Sequence, residues 1–128
     1  MSRRRSFDSK SVADFLSLLF ASATQSHILH LQTKSYAAHK ALQGYYEGIV
    51  PLLDTYAETY QGKYGIIQGY SYSELVEGDK QILPYFKELE ELVTVLEQDL
   101  PKDVDLQNTY ADILDLIHKT NYLLRYLH

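Results

Sequence analysis

The chain has 128 residues, 45% of them hydrophobic and 23% charged, with a formal net charge of −5. That length fits one domain with its own apolar core, and the composition is that of a folded protein rather than a disordered one. Its lack of cysteine excludes disulfides, thiolate metal sites and cysteine nucleophiles, restricts any metal to nitrogen and oxygen donors, and points to a cytoplasmic setting.

An acidic balance argues against a nucleic-acid surface over the whole molecule. Arg3, Arg4 and Arg5 are the local exception. They mark residues 1–10 as a flexible basic tail able to touch DNA phosphates, and residues 11–128 as the folded domain. The longest apolar candidate, Phe15 to Ala23, is interrupted by Ser17 and Ser22, so no membrane span is predicted.

From Val12 onward, Phe15, Leu16, Leu19, Ala23, His27 and His30 advance by steps of three and four. This spacing predicts a first helix with Ser9 or Ser11 as N-cap. A polar break, Gln32-Thr33-Lys34-Ser35, separates it from a second helix over Tyr36 to Tyr60, with His39, Leu42, Tyr46, Val50, Leu53 and Ala57 as its stripe. So short a break predicts an antiparallel hairpin. Pro51 is expected to kink the second helix by removing the bond to the Glu47 carbonyl, in a region that Gly44 and Gly48 already weaken.

The stretch between Gly62 and Gly78 is too long for a plain turn and reads as a crossing connection with a short helix at Ser73 to Glu77. A third helix follows from Ile82 or Pro84 to Gln98, with Phe86, Leu89, Val93 and Leu96 inward. The fourth runs from about Asp105 to the C-terminus on Leu106, Tyr110, Ile113, Ile117 and Leu124. The expected fold class is all-α, an antiparallel four-helix bundle with a long connection between helices two and three.

Within the first two helices, His27, His39, Asp54 and Glu58 stand in otherwise apolar stretches that predict their burial. Burial of such groups is costly unless something satisfies them. Imidazole with carboxylate is a donor mixture suited to iron or zinc, while hydrogen-bonded interface histidines and a solvated acidic face are the structural alternatives. At 100° per residue, Glu47, Asp54 and Glu58 fall within about 40° of one another, with His39 about 60° from Asp54. Helix two therefore carries one polar strip. His30 and Glu47 are supplementary ligand candidates.

The pattern His27-x11-His39 followed by Asp54-x3-Glu58 resembles the ferroxidase spacing of the Dps-like mini-ferritins, over roughly residues 12–62. The resemblance implies a ferritin-like four-helix bundle that oxidises and sequesters ferrous iron. It also implies a homo-oligomer, dimer-based and up to a dodecamer, in which His27 and His39 of one chain face Asp54 and Glu58 of another. Where that family often has an acidic residue four positions after the second histidine this chain has Gln43, and where it often has tryptophan beside the first histidine this chain has Ile28. The competing expectation is a non-catalytic bundle of the same shape that serves as an interaction or structural oligomer.

Asp115-x2-His118 is a rival element, echoing the carboxylate-x-x-His of di-iron bundles, but ordinary surface charge surrounds it. Tyr45, Tyr46, Tyr56, Tyr60, Tyr64, Tyr70 and Tyr72 crowd the second helix and the connection after it. Tyrosine suits both a subunit interface and a core.

Overall fold

The computed structural model describes residues 9–128, and every described regular element is helical. The helices are α1 (Ser9–Gln32), α2 (Tyr36–Tyr64), α3 (Ile82–Leu96) and α4 (Val104–Tyr126), with single 3-10 turns at Asp79–Gln81 and Glu97–Asp99. Arg3, Arg4 and Arg5 lie outside the described residues. Ser9 and Lys10, assigned to the tail by sequence, are already helical.

The α1–α2 turn is Thr33-Lys34-Ser35. Ser35 adopts the extended conformation of an N-cap, and its side chain accepts from the Ala38 amide, which supplies one of the first helical N–H groups with the partner it would otherwise lack. Contacts then pair the helices in opposite directions: Ser22 with Tyr45, and Phe15 with Tyr56. α2 runs unbroken through Pro51, whose ring lies on the exposed side. Solvent on that side can serve the Glu47 carbonyl, so the missing bond ends nothing.

α4 packs antiparallel on α2. The helices come close at Gly48, where a Cβ would sit 3.2 Å from Leu116 Cδ2 and press that side chain back. At the far end Lys63 reaches Asp103 and Asp105, and the Tyr64 hydroxyl donates to Asp103. α3 returns along α4, with the Tyr110 hydroxyl donating to the Val93 carbonyl and Asn121 donating to Glu90.

Gly65 ends α2 at φ +100°, a conformation that a side chain would strain. The chain then runs back as an extended strap alongside α1, not as the short helix expected at Ser73 to Glu77. Three α1 side chains hold the strap: Ser17 accepts from the Ser71 amide, Gln32 accepts from the Gly78 amide, and Gln25 bonds both the amide and the carbonyl of Val76 at 2.7 Å. These partners satisfy backbone groups that a helix would have satisfied internally.

The core collects Phe15, Leu16, Leu19, Leu42, Tyr45, Ile49, Leu53, Tyr56, Tyr60, Phe86, Val93, Ile113 and Ile117. On α2 the buried line passes through Tyr45, Ile49, Tyr56 and Tyr60, one position off the expected Tyr46, Val50 and Ala57. Three tyrosines with their large rings decide the helix's rotation, and each hydroxyl needs a partner. The Ser22 hydroxyl donates to the Leu19 carbonyl, so Tyr45 must be the donor in their 2.6 Å bond. Burial pushes the Tyr45 phenol well above its ordinary range, which keeps it a neutral donor. α1 has the length and apolarity of a weak membrane-span candidate, yet 56% of that window is buried within the fold.

Candidate functional site

The largest concentration of imidazole lies at the turn end of the α1–α2 hairpin. His30, in the last turns of α1, and His39, in the first turns of α2, stack with ring centroids 3.6 Å apart and planes 20° apart. Each reaches over to the other's backbone: His30 Nδ1 donates to the His39 carbonyl at 2.7 Å and His39 Nδ1 to the His30 carbonyl at 2.8 Å. The His30 carbonyl belongs to the end of α1, where helical acceptors run out of partners, so His39 acts as a C-terminal cap. Because carbonyls only accept, both imidazoles carry their proton on Nδ1, which leaves Nε2 as a lone-pair donor in the neutral ring.

The stack continues outward. His27 lies flat on Tyr46 at 4.0 Å and 15°, and meets His30 edge-on at 5.9 Å; Tyr36 stacks beyond His39 at 6.3 Å. His27 and Tyr36 are exposed, His39 is half-buried, and His30 is 6% exposed. The sequence places both His27 and His30 on the inward stripe of α1. The structure buries His30 and leaves His27 exposed, because α1's inward line passes through Ser22, Ser26, Leu29 and His30.

Asp54, Glu58 and Glu47 are all exposed on α2, correcting the expectation that the quartet is buried. They do share one strip, as the helical angles require. No ion pair or hydrogen bond within the described chain ties up Asp54 or Glu58. His39 and Asp54 are 15 residues apart on one continuous helix, which separates them by about 22 Å along the axis. Tyr46 marks the level of His27, and Asp54 lies about 12 Å beyond it by the same rise. One chain therefore does not assemble the quartet, and among the described residues no group of three or more His, Asp or Glu is placed to hold a metal.

The rival Asp115 and His118 part company. Asp115 pairs with Lys119 at 3.0 Å, and His118 Nε2 faces Glu90 of α3 at 3.9 Å. The tyrosines divide as well: Tyr45, Tyr56 and Tyr60 are core, whereas Tyr70 and Tyr72 are exposed on the strap. The feature sequence reasoning missed is the reciprocal His30–His39 clasp, for which the only signal is two histidines nine residues apart astride a predicted turn.

An uncharacterized 14.6 kDa protein of Enterobacteria phage T4, described by its place in the mobD–ri intergenic region, is 26% identical over 111 residues, covering 87% of this chain and 85% of the phage protein. No solved structure matches. A family profile covers residues 30–124, and with most of its length inside that match the chain belongs to DUF5856, a family of unknown function.

Proposed function

We propose that this protein is a Dps-like, ferritin-like helical bundle that binds and oxidises ferrous iron between two copies of the chain. The observation that carries the proposal is the arrangement of the quartet: two imidazoles toward the turn end of the hairpin, and two exposed carboxylates with no ion pair among the described residues further along it, Asp54 about 12 Å beyond the level of His27 and Glu58 one turn more, in the order and spacing of the mini-ferritin site. A second copy packed head to tail on the α1–α2 face would bring Asp54 and Glu58 to the level of the first copy's His27.

Two further observations support it. His39 gives its Nδ1 proton to a backbone carbonyl, the outer contact that orients a metal-binding imidazole and leaves Nε2 for the ion. The direction of the chain also agrees: up in α1, down in α2, up through the strap, down in α3 and up in α4, the single long crossover of ferritin-like bundles. Ferrous iron is the substrate here. Two ferrous ions give two electrons to an oxidant such as hydrogen peroxide, which takes up two protons and leaves as water; the carboxylates then hold the ferric product as hard oxygen donors.

The test is aerobic addition of ferrous iron with the ferric-oxo absorbance followed, comparing wild type with His27→Ala and Asp54→Asn, both at exposed positions. Oxidation above the buffer rate in wild type and its loss in both variants are expected. Wild-type oxidation at the buffer rate overturns the proposal. The second reading is the same self-associating bundle without iron chemistry, acting by binding. Gln43, half-buried where the mini-ferritin pattern often has an acid, favours it. Stable oligomers that leave ferrous iron unoxidised would select this reading.

A further inference from the structure

His27 and His30 lie one turn apart on α1 with ring centroids 5.9 Å apart and planes 61° apart. An imidazole nitrogen bound to zinc at about 2.1 Å puts the ion about 3.2 Å from the ring centre, so two imidazoles on one ion at ordinary angles have centres roughly 5 to 6 Å apart. The observed separation is that span. The ion must also lie in both ring planes. Planes crossing at 61° meet close to the rings, where it can sit, whereas those of His30 and His39, stacked at 3.6 Å and only 20° apart, meet far beyond the roughly 2.1 Å reach of a metal–nitrogen bond. The clasp thus excludes one histidine pair from chelation and leaves the other open to it.

The donor atoms are ready. His30 keeps its proton on Nδ1, bonded to the His39 carbonyl, so Nε2 is the lone-pair nitrogen. Among the described residues no buried side-chain nitrogen or oxygen is left without a partner, so this unbonded Nε2 is not sealed off from solvent. His27 is exposed and forms no hydrogen bond with another described residue, being held by its stack on Tyr46 and its edge-on contact with His30. Two imidazole nitrogens with no thiolate favour borderline divalent ions over calcium or magnesium.

We infer that His27 and His30 of a single chain chelate one borderline divalent transition ion, zinc in the first instance, with water completing its coordination. The site needs no second copy and no carboxylate, and so does not rest on the two-chain iron site, although both use His27.

The experiment is zinc titration of the full chain by calorimetry, with nitrogen-15 imidazole spectra recorded in parallel. One zinc ion per chain is expected, with Nε2 of His30 and one nitrogen of His27 shifting while His39, His118 and His128 stay in place. His27→Gln, which keeps a planar group against Tyr46, is expected to weaken binding at least tenfold, and His30→Asn likewise. Asp54→Asn is expected to leave the titration unchanged. Wild-type affinity in His27→Gln overturns the inference, as does a shift of His39 in place of His27. Loss of binding in Asp54→Asn also overturns it, by moving the ion to the two-copy site. Absence of ferrous oxidation with zinc binding intact counts against the proposed iron chemistry alone.

Discussion

The two connections that leave α2 differ in how they are held. At one end, a three-residue turn joins α2 to α1 and the two helices clasp each other directly through His30 and His39. At the other, a long extended strap reaches α3 with its bonds supplied by Ser17, Gln25 and Gln32 of α1. The turn is secured between residues nine apart in sequence; the strap depends on pairs 46 to 54 apart. The first can form as soon as the hairpin does, while the second needs α1 already in place to bind against. Stability should therefore be graded along the chain, with the strap opening more readily than the hairpin.

Tyr45 ties the α1–α2 hairpin to the helix that follows the strap, bonded to Ser22 of α1 and meeting Phe86 of α3 edge-on at 5.0 Å. Tyr45→Ala should cost about 4 kcal/mol, as for other large buried rings, and lower the urea midpoint of the whole domain. Tyr45→Phe should cost only about 1 kcal/mol, because the ring stays and one hydrogen bond goes.

Gln25→Ala tests the grading itself. It removes both bonds to Val76 and should cost about 2 kcal/mol. Amide exchange at 71–78 should quicken by more than at the α1–α2 turn. Equal acceleration at both places would mean that strap and hairpin open together.

His39→Ala is the converse. It uncaps the end of α1 and unstacks His30, for a loss of about 1 kcal/mol. Exchange should quicken near residues 29–40 and leave the strap largely as it was.

The smallest expected effect is at the far end of α2. Lys63, by its bond to Asp105, holds that carboxyl below the ordinary range. Burial acts to raise Asp103, but bonds from Tyr64 and Lys63 outweigh it and the net direction is down. Carboxyls depressed by folding stabilise fully above their unfolded value, near 3.8, and lose that contribution as pH falls through the folded value. Lys63 itself is raised, chiefly by Asp105, and its contribution is present below its ordinary 10.5 and lost as pH rises through the folded value. Urea midpoints should thus decline below about pH 4, and the decline should be shallower in Lys63→Met.

Much of the fold is legible because apolar periodicity on each helix is a local signal. Leu106, Ile113, Ile117 and Leu124 were read inward and are buried, and α2 survives Pro51 because its ring faces solvent. The strap was illegible for a physical reason. Nothing near Ser73 announces that Gln25, half a chain away, will take both backbone bonds of Val76. The candidate site was legible as residues and spacing but not as exposure. Spacing placed Glu47, Asp54 and Glu58 on one strip correctly, yet a rotation of one residue, set by Tyr45, Tyr56 and Tyr60, separates a buried position from an open one. On α1, where spacing reads His27 and His30 inward together, His30 is buried and His27 is not.

The three α1 side chains that hold the strap also fix where the chain can change length. Between Ser71 and Gly78 every added residue would put a bond out of step with Ser17, Gln25 or Gln32, whereas Gln68 to Tyr70 lies outside those grips and is exposed. A reporter peptide inserted after Gly69 should be accommodated, and the same peptide after Glu74 should not. The strap is thus divided into a stretch free to lengthen and a stretch measured against a helix.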